Sequence, residues 1–440
     1  MEFFVSIFVD KIGFIVASSL LSVLIRVGII AIILALLDWY VFQAVKVAFQ
    51  RVSFRGWIFA GYWFVYVIFV ILLVFGFLQP SLREGKGHEI IQLILGFTVF
   101  WYVPKLLIII FLLGEDIFRV TYGLAYHIAN PEIGNQRDSF LISRSEFLSR
   151  LGILLVTIPM AAVGYGIVRG RYQFRVRRVE VFFLNLPESF DGFSIAQISD
   201  IHIGSFSDSA AVVEGIKMVN DLKSDIIVFT GDLVNNRADE LEPWVETLKE
   251  LQAQNGKFSI LGNHDYGDYV SWPSREAKQD NLQRLKQYHQ EIGFQLLLNE
   301  GIELEKNGEK IGLAGVENWG LPPFPQKGDL AKAMRNLVQL PFRILLSHDP
   351  THFDQVVTKA ETTADLTLSG HTHGLQFGIE IGSIRWSPVK YKYPKWADLY
   401  QVGEQYLYVN RGFGYIGFPG RVGILPEITQ IILRRKNTHV

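Results

Sequence analysis

The chain has 440 residues, of which 49% are hydrophobic and only 19% charged. That much apolar surface excludes a disordered chain, and the charge that remains excludes one wholly buried in lipid. There is no Cys, which removes disulfides, thiolate metal sites and cysteine nucleophiles.

The charge is unevenly spread. Residues 1–178 hold 17 Lys and Arg against 10 Asp and Glu, which leaves 25 against 33 for residues 179–440. A total of −1 therefore hides a basic apolar part joined to an acidic one. The acidic part would repel a phosphate backbone, so no nucleic acid is expected as a partner. At about 150 residues per domain the length allows two or three domains.

Residues 1–172 read as a transmembrane bundle of about four helices, near 23–45, 56–79, 89–113 and 151–168. Gly56 to Leu82 carries no charge, which is enough for a span of about 20 residues. Leu151 to Val168 is a second uncharged run, bounded by Arg150 and Arg169. The stretch Ile12 to Ile25 is apolar but short, and reads as an interfacial helix or a lengthening of the first span. Glu2 and Asp10 argue against a cleaved signal peptide. Asp38 and Lys105 fall inside candidate spans, where a charge is costly. Either they pair between helices or each lies near an interface with its charged end reaching water; the second is the expectation. Arg169, Arg171, Arg175, Arg177 and Arg178 follow the last span and point to a cell-membrane protein with a cytoplasmic second region. Lys46, Arg51 and Arg55 in the first loop pull the other way.

Gln173 to Glu180 marks the boundary with a second region, 173–440. There, five short apolar runs each end in polar residues of one kind. Ile195 to Ser199 leads into Asp200-Ile201-His202, and Ile226 to Thr230 into Gly231-Asp232. Phe258 to Leu261 leads into Gly262-Asn263-His264-Asp265. Ile344 to Ser347 leads into His348-Asp349, and Leu366 to Ser369 into Gly370-His371-Thr372-His373. Such runs, rich in Ile, Val and Phe and bounded by Gly or Asp, read as buried strands. Helices are expected between them: one capped by Ser207 or Asp208 with Val212, Val213, Ile216, Val219 and Leu222 on its apolar face, others at Leu241–Leu251 and Leu330–Val338. Strand–helix alternation implies sheets covered by helices, and ligands in such sheets gather beyond the carboxyl ends of strands. All five polar clusters fall there.

The cluster side chains are oxygen and nitrogen donors, suited to divalent Zn, Mn or Fe. Seven donors are too many for one tetrahedral ion and suit two ions sharing a carboxylate. Two ions about 3.5–4 Å apart are a common device for hydrolysing phosphate esters. No Gly-x-x-x-x-Gly-Lys-Ser/Thr loop occurs, which argues against an NTPase of that type.

These motifs, with Leu186-Pro187-Glu188-Ser189-Phe190-Asp191-Gly192-Phe193 ahead of Ser199-Asp200-Ile201-His202-Ile203-Gly204, resemble the calcineurin-like metallophosphoesterases. Within them they look like the membrane-associated phosphodiesterase branch, in which N-terminal spans precede the catalytic domain. The resemblance covers about residues 179–440 and implies an α/β domain built as a two-sheet β sandwich flanked by helices. It also implies that Asp200, His202 and His373 bind one metal ion, that Asn263, His348 and His371 bind a second, and that Asp232 bridges both. His264 would stabilise the phosphoryl group or protonate the leaving oxygen, and Asp265 would orient His264. The implied reaction is hydrolysis of a phosphodiester or pyrophosphate by a hydroxide held between the ions; a UDP-linked diacylglucosamine is one substrate known in the branch. Leu375 departs from the pattern, standing where many relatives have Gly.

Residues 386–426 are rich in aromatics with Lys390, Lys392, Lys395, Arg411 and Arg421 interleaved. Closing strands with ordinary aromatic packing are the expectation. Arg411 is the first candidate for a phosphate contact, because guanidinium grips phosphate bidentately. Two other function classes are open: a channel or transporter regulated by the metal-binding region, and a metal-dependent binding module without turnover.

Overall fold

The computed structural model describes residues 20–79, 87–129, 145–382 and 384–436; the N-terminal part of the apolar stretch at 12–25 lies outside them. The chain divides into two compact units, one carrying long helices up to Tyr165 and one running from Gly166 onward.

The first unit is built from helices α1 (Leu20–Ala48), α2 (Arg55–Leu78), α3 (His88–Ala129) and α4 (Glu146–Val168), of which α4 runs on into the second unit from Gly166. Each contains a stretch long and apolar enough to cross a membrane. Ile32, Leu36, Trp57, Ile110 and Ile158 point outward and are more than 60% exposed. That pattern fits a lipid surrounding, which solvates apolar side chains as well as a core does. The inward contacts are Val41, Ala44, Ile108 and Leu112 in one cluster and Phe69, Leu73, Ile94 and Tyr102 in another. Helix α3 runs well past residue 113. Its 42 residues reach roughly 63 Å at about 1.5 Å per residue, about twice the hydrocarbon thickness.

Asp38 and Lys105 do not reach out to water. Both are buried and the Lys105 ammonium pairs with the Asp38 carboxylate. Tyr62 donates to Asp38 Oδ1 at 2.8 Å and Tyr102 to Oδ2 at 3.0 Å. The rings of Trp101, Tyr62 and Tyr102 surround the ammonium at 4.1, 4.7 and 5.0 Å. A charge this deep in a bundle is tolerable only when paired and hydrogen-bonded, which is why the between-helix pairing replaces the interfacial reading.

The second unit is a sandwich of two six-stranded sheets. The first has the order β1 (Arg175–Phe183), β14 (Glu427–Arg435), β2 (Ser194–Ile198), β3 (Ile226–Phe229), β4 (Lys257–Ser259), β5 (Gln295–Leu296). The second has the order β12 (Asp398–Val402), β13 (Gln405–Val409), β9 (Leu366–Ser369), β8 (Arg343–Leu346), β7 (Glu309–Gly315), β6 (Glu300–Lys306). A separate hairpin pairs β10 (Ile379–Ile381) with β11 (Ile384–Trp386). Side chains alternate faces along each strand. Ile195, Ile226, Val228, Ile344, Leu346, Leu366 and Leu368 therefore meet between the sheets. Ala196, Ile198, Ile227 and Phe229 turn to the other face. There they pack under α5 (Ser209–Asp221) and α7 (Arg275–Ile292), through Val212, Ile216, Val219, Leu285 and Ile292. The outer face of the second sheet is covered by α8 (Leu330–Met334) and α9 (Thr351–Gln355). Asp208 caps α5 by accepting from the amides of Ala210 and Ala211. The helix expected at 241–251 is confined to α6 (Val245–Lys249), after a 3-10 turn at Ala238–Leu241.

Two buried histidines are excluded from water in this unit. His289 faces Ser259 Oγ at 2.9 Å and His352 faces Ser347 Oγ at 2.9 Å. Burial pushes their imidazoles down, to about 3 and about 4. The unfolded chain takes up these protons near the ordinary value of about 6.5, while the folded chain does so only at much lower pH. Their contribution is complete above about 6.5 and is lost as pH falls toward the folded values. At pH 5 each is expected to cost about 2 kcal/mol. Melting of the strand-rich unit followed by circular dichroism should show this decline, and His289→Gln with His352→Gln should flatten it.

Candidate metal centre

The five polar clusters leave the carboxyl ends of β2, β3, β4, β8 and β9, adjacent strands at the middle of the two sheets. The turns are tight. Asp200, His202, Asp232, His371 and His373 all have φ between +47° and +71°, a left-handed conformation that non-glycine residues adopt at a cost. Close approach also demands glycine: a Cβ at Gly370 would strike Ser199 and Asp200, and one at Gly262 would strike Asp232.

The donors converge in two buried groups, Asp200 with His202 and His373, and Asp232 with His348 and His371. Within each group the donor atoms lie within 4.8 Å of one another. His202 Nε2 and His373 Nε2 face each other at 3.1 Å, and His373 Nε2 is 3.3 Å from Asp200 Oδ1. Asn263 Oδ1 lies 2.8 Å from His371 Nδ1 and so joins the second group. Asp232 Oδ2 stands between the groups, 3.1 Å from His348 Nε2 and 3.6 Å from His202 Nε2. Lone pairs crowded this closely repel unless protons or cations sit among them, so the donor set fits two divalent ions sharing Asp232.

The outer hydrogen bonds set the imidazoles. His348 Nδ1 lies 2.7 Å from the Thr230 carbonyl, which accepts its proton and turns the Nε2 lone pair inward. Burial alone would push His348 down, but the Asp232 and Asp200 carboxylates outweigh it and raise it to about 10. Burial pushes the Asp200 and Asp232 carboxyls up, yet neighbouring imidazoles hold both well below the usual range, His373 acting most on Asp200 and His348 on Asp232. Burial keeps His202 neutral. A cation entering the second group competes with a proton for His348 Nε2.

His264 lies beside the donor groups, its ring edge-on to His202 with centroids 5.0 Å apart. The Asn235 carbonyl accepts from Nδ1 at 2.7 Å, leaving Nε2 as the acceptor in the neutral ring. Asp265 does not orient this ring. Its buried carboxylate accepts from the amides of Asp232, Leu233 and Gly262 at 2.8–2.9 Å, so it braces the turn that carries Asp232. Burial and the nearby Asp232 raise it to about 7.

Arg411 does not join the site as a phosphate contact. Its side chain is fully buried and pairs with Asp398, Glu427 and Glu380. With those carboxylates in reach, the guanidinium is spent on holding strands together. The residue that sequence reasoning passed over is Arg421, also buried. It donates to the carbonyls of His373 and Arg411 at 3.1 and 2.8 Å and lies 3.2 Å from His373 Nδ1. Nothing in the spacing separates Arg421 from Arg411; only the return of the loop after β13 does. Tyr393 was likewise seen only as part of the aromatic stretch, yet its hydroxyl sits 2.9 Å from His371 Nε2. Leu375 has φ +54°, the conformation in which the glycine of relatives is at ease. Removing the fork of Arg421 by Arg421→Lys loosens its hold on the main-chain carbonyl of His373 and is expected to weaken metal binding about 10–100-fold, as loss of groups that orient metal ligands commonly does. Titration of the apoprotein with Mn, at unchanged circular dichroism, measures it.

Residues 193–375 match the family described as "Calcineurin-like phosphoesterase", and residues 19–171 match "Probable Calcineurin-like phosphoesterase, transmembrane domain". An uncharacterized metallophosphoesterase of Bacillus subtilis (strain 168), YkuE, is 32% identical over 303 residues, covering 67% of this chain and 99% of the relative. The chain belongs to the calcineurin-like phosphoesterase family. A transmembrane protein with metallophosphoesterase domain from Bos taurus is 30% identical over 323 residues, covering 70% of this chain and 68% of that protein. One of the same description from Danio rerio is 29% identical over 312 residues, covering 67% and 64%. This calcineurin-like phosphoesterase is thus a metal-dependent hydrolase of phosphoric esters, and its own transmembrane domain associates it with a membrane.

Proposed function

We propose that the chain is a membrane-anchored, two-metal hydrolase of a phosphodiester or pyrophosphate carried on a lipid, such as a UDP-linked diacylglucosamine. The observation that carries the two-metal reading is Asp232, whose one carboxylate oxygen reaches toward both donor groups. Asp200, His202 and His373 would hold one ion; Asn263, His348 and His371 the other; Asp232 both. Mn, Zn and Fe all suit this set. Two such ions, when bound, neutralise the phosphoryl oxygens and make hydroxide available near neutral pH. His264 presents Nε2 to the phosphoryl group and, when protonated, gives its proton to the leaving oxygen. Asp265 and Arg421 hold Asp232 and His373 in place. The lipid reading rests on the short link that tethers the catalytic unit to the last span: α4 ends at Val168 and β1 begins at Arg175.

The five arginines after the last span support a cytoplasmic catalytic unit, although Arg171, Arg177 and Arg178 also serve inside that unit. A C-terminal fusion to a reporter active on only one side of the membrane tests the placement. A regulated channel or transporter would need Asp38 or Lys105 to change partners, and two tyrosine hydroxyls and three rings close that pair in. For the reaction, purified protein with Mn should hydrolyse bis-p-nitrophenyl phosphate and lose that activity to a chelator. Lipid extracts from cells with and without the active enzyme then show which phosphorylated lipid accumulates; no change in any of them defeats the lipid reading.

A further inference from the structure

The hairpin β10–β11 is built inside out. Residues directly opposite one another in an antiparallel pair share a face. The register sets Ile379 against Trp386 and Ile381 against Ile384 on one face, and Glu380 against Arg385 on the other. In a water-soluble hairpin the apolar face packs inward and the charged face is wet. Here the charged face is held against the body of the catalytic unit. Glu380 accepts from Arg411 at 2.8 Å and from Arg177 at 2.6 Å, and Arg385 pairs with Asp398. The isoleucines are turned out, with Ile379 49%, Ile381 73% and Ile384 65% exposed. The ionic contacts hold that orientation, since rotating the hairpin would take Glu380 from the buried Arg411 and from Arg177, and Arg385 from Asp398. Three large aliphatic side chains on one small tip form a contiguous apolar patch that needs a covering partner.

The surroundings say which partner. The root of the hairpin is joined to the end of the last span by consecutive main-chain contacts within the catalytic unit. The Gly166 carbonyl, in the last turn of α4, accepts from the Arg421 amide at 3.1 Å. Val422 then bridges to Phe377, and its carbonyl accepts from the Gly378 amide at 2.9 Å. Ile379 follows at once. The turn after β11 carries Lys390, Tyr391 and Lys392, all exposed, and Tyr391 is 77% so. Aliphatic side chains at a tip, an exposed Tyr and flanking lysines are the chemistry of a membrane–water interface with anionic headgroups.

We propose that Ile379, Ile381 and Ile384 insert into the bilayer interface next to the point where α4 leaves it, with Lys390 and Lys392 on the headgroups. The hairpin then acts as a second, non-covalent anchor. The idea goes beyond the lipid-substrate reading and survives its failure, because bilayer contact is measurable without any substrate.

The absence of Cys allows a clean test on the full chain in vesicles of phosphatidylcholine and phosphatidylglycerol. An environment-sensitive dye on Ile381→Cys is expected to shift to the blue. It should be quenched by a spin label placed shallow in the acyl chains, while the same dye on Glu246→Cys in α6 reads water. Hydrolysis of a soluble phosphodiester by Ile381→Cys should equal that of the parent, which shows the fold intact. A dye at 381 that reads water overturns the proposal, as does equal quenching at 381 and 246. A blue shift that grows with protein concentration and ignores the lipid quencher would mean that a second copy covers the hairpin, and overturns it too.

Discussion

His264→Ala is expected to lower kcat on a soluble phosphodiester by about 10²–10⁴, the range for loss of a positioned acid–base group, while two equivalents of metal stay bound. The separation follows from the geometry. His264 gives its Nδ1 proton to the Asn235 carbonyl and sits edge-on to His202, outside both donor groups. Its amide donates to Asp232 Oδ1 at 2.8 Å, a main-chain contact that alanine keeps. Asp232→Asn should behave in the opposite way. It removes the shared negative charge, so metal stoichiometry falls along with rate, and added Mn restores little. A binding module without turnover would be indifferent to His264→Ala, so metal content and rate measured on both variants decide between the classes. If His264→Ala lost metal as Asp232→Asn does, the role given to His264 here would be wrong.

The site was readable because its chemistry is local. Each donor follows a four- or five-residue apolar run within one or two turns, so the motif Asp200-x-His202 or Gly370-His371-Thr372-His373 announces itself without tertiary knowledge. The strand order was not. β14 enters between β1 and β2, pairing Ile431 with Ile195 across most of the unit, and no local pattern encodes such a neighbour. The same limit explains the arginines. Arg411 and Arg421 share residue type, loop and aromatic neighbours, and what separates them is which groups return from afar: Asp398, Glu380 and Glu427 to one, His373 to the other. Asp265 shows a subtler failure. Adjacency to His264 suggested a partner, but consecutive side chains in a tight turn point apart, and Asp265 turns back to the amides around Asp232.

The buried pair in the bundle carries the second large effect, on stability. Breaking a buried ion pair by removing one partner costs about 3–5 kcal/mol, because the survivor is left uncompensated. The two single changes should not be equal. Lys105→Met leaves the Asp38 carboxylate with the hydroxyls of Tyr62 and Tyr102, so part of its hydrogen bonding remains. Asp38→Leu orphans the ammonium and the Tyr102 hydroxyl, Tyr62 keeping only the main-chain carbonyl of residue 38 at 3.0 Å, and only the faces of Trp101, Tyr62 and Tyr102 still attract the cation. Asp38→Leu should therefore lower the melting point of the detergent-solubilised chain more than Lys105→Met. The double variant should recover much of the loss, since apolar groups of similar volume replace the whole pair. Asp38 lies on α1, Tyr62 on α2, and Tyr102 and Lys105 on α3, so the pair ties three helices in one register. Single variants as stable as the parent would mean that the charges reach water after all, and a double variant no better than Asp38→Leu would remove the coupling on which the register argument stands.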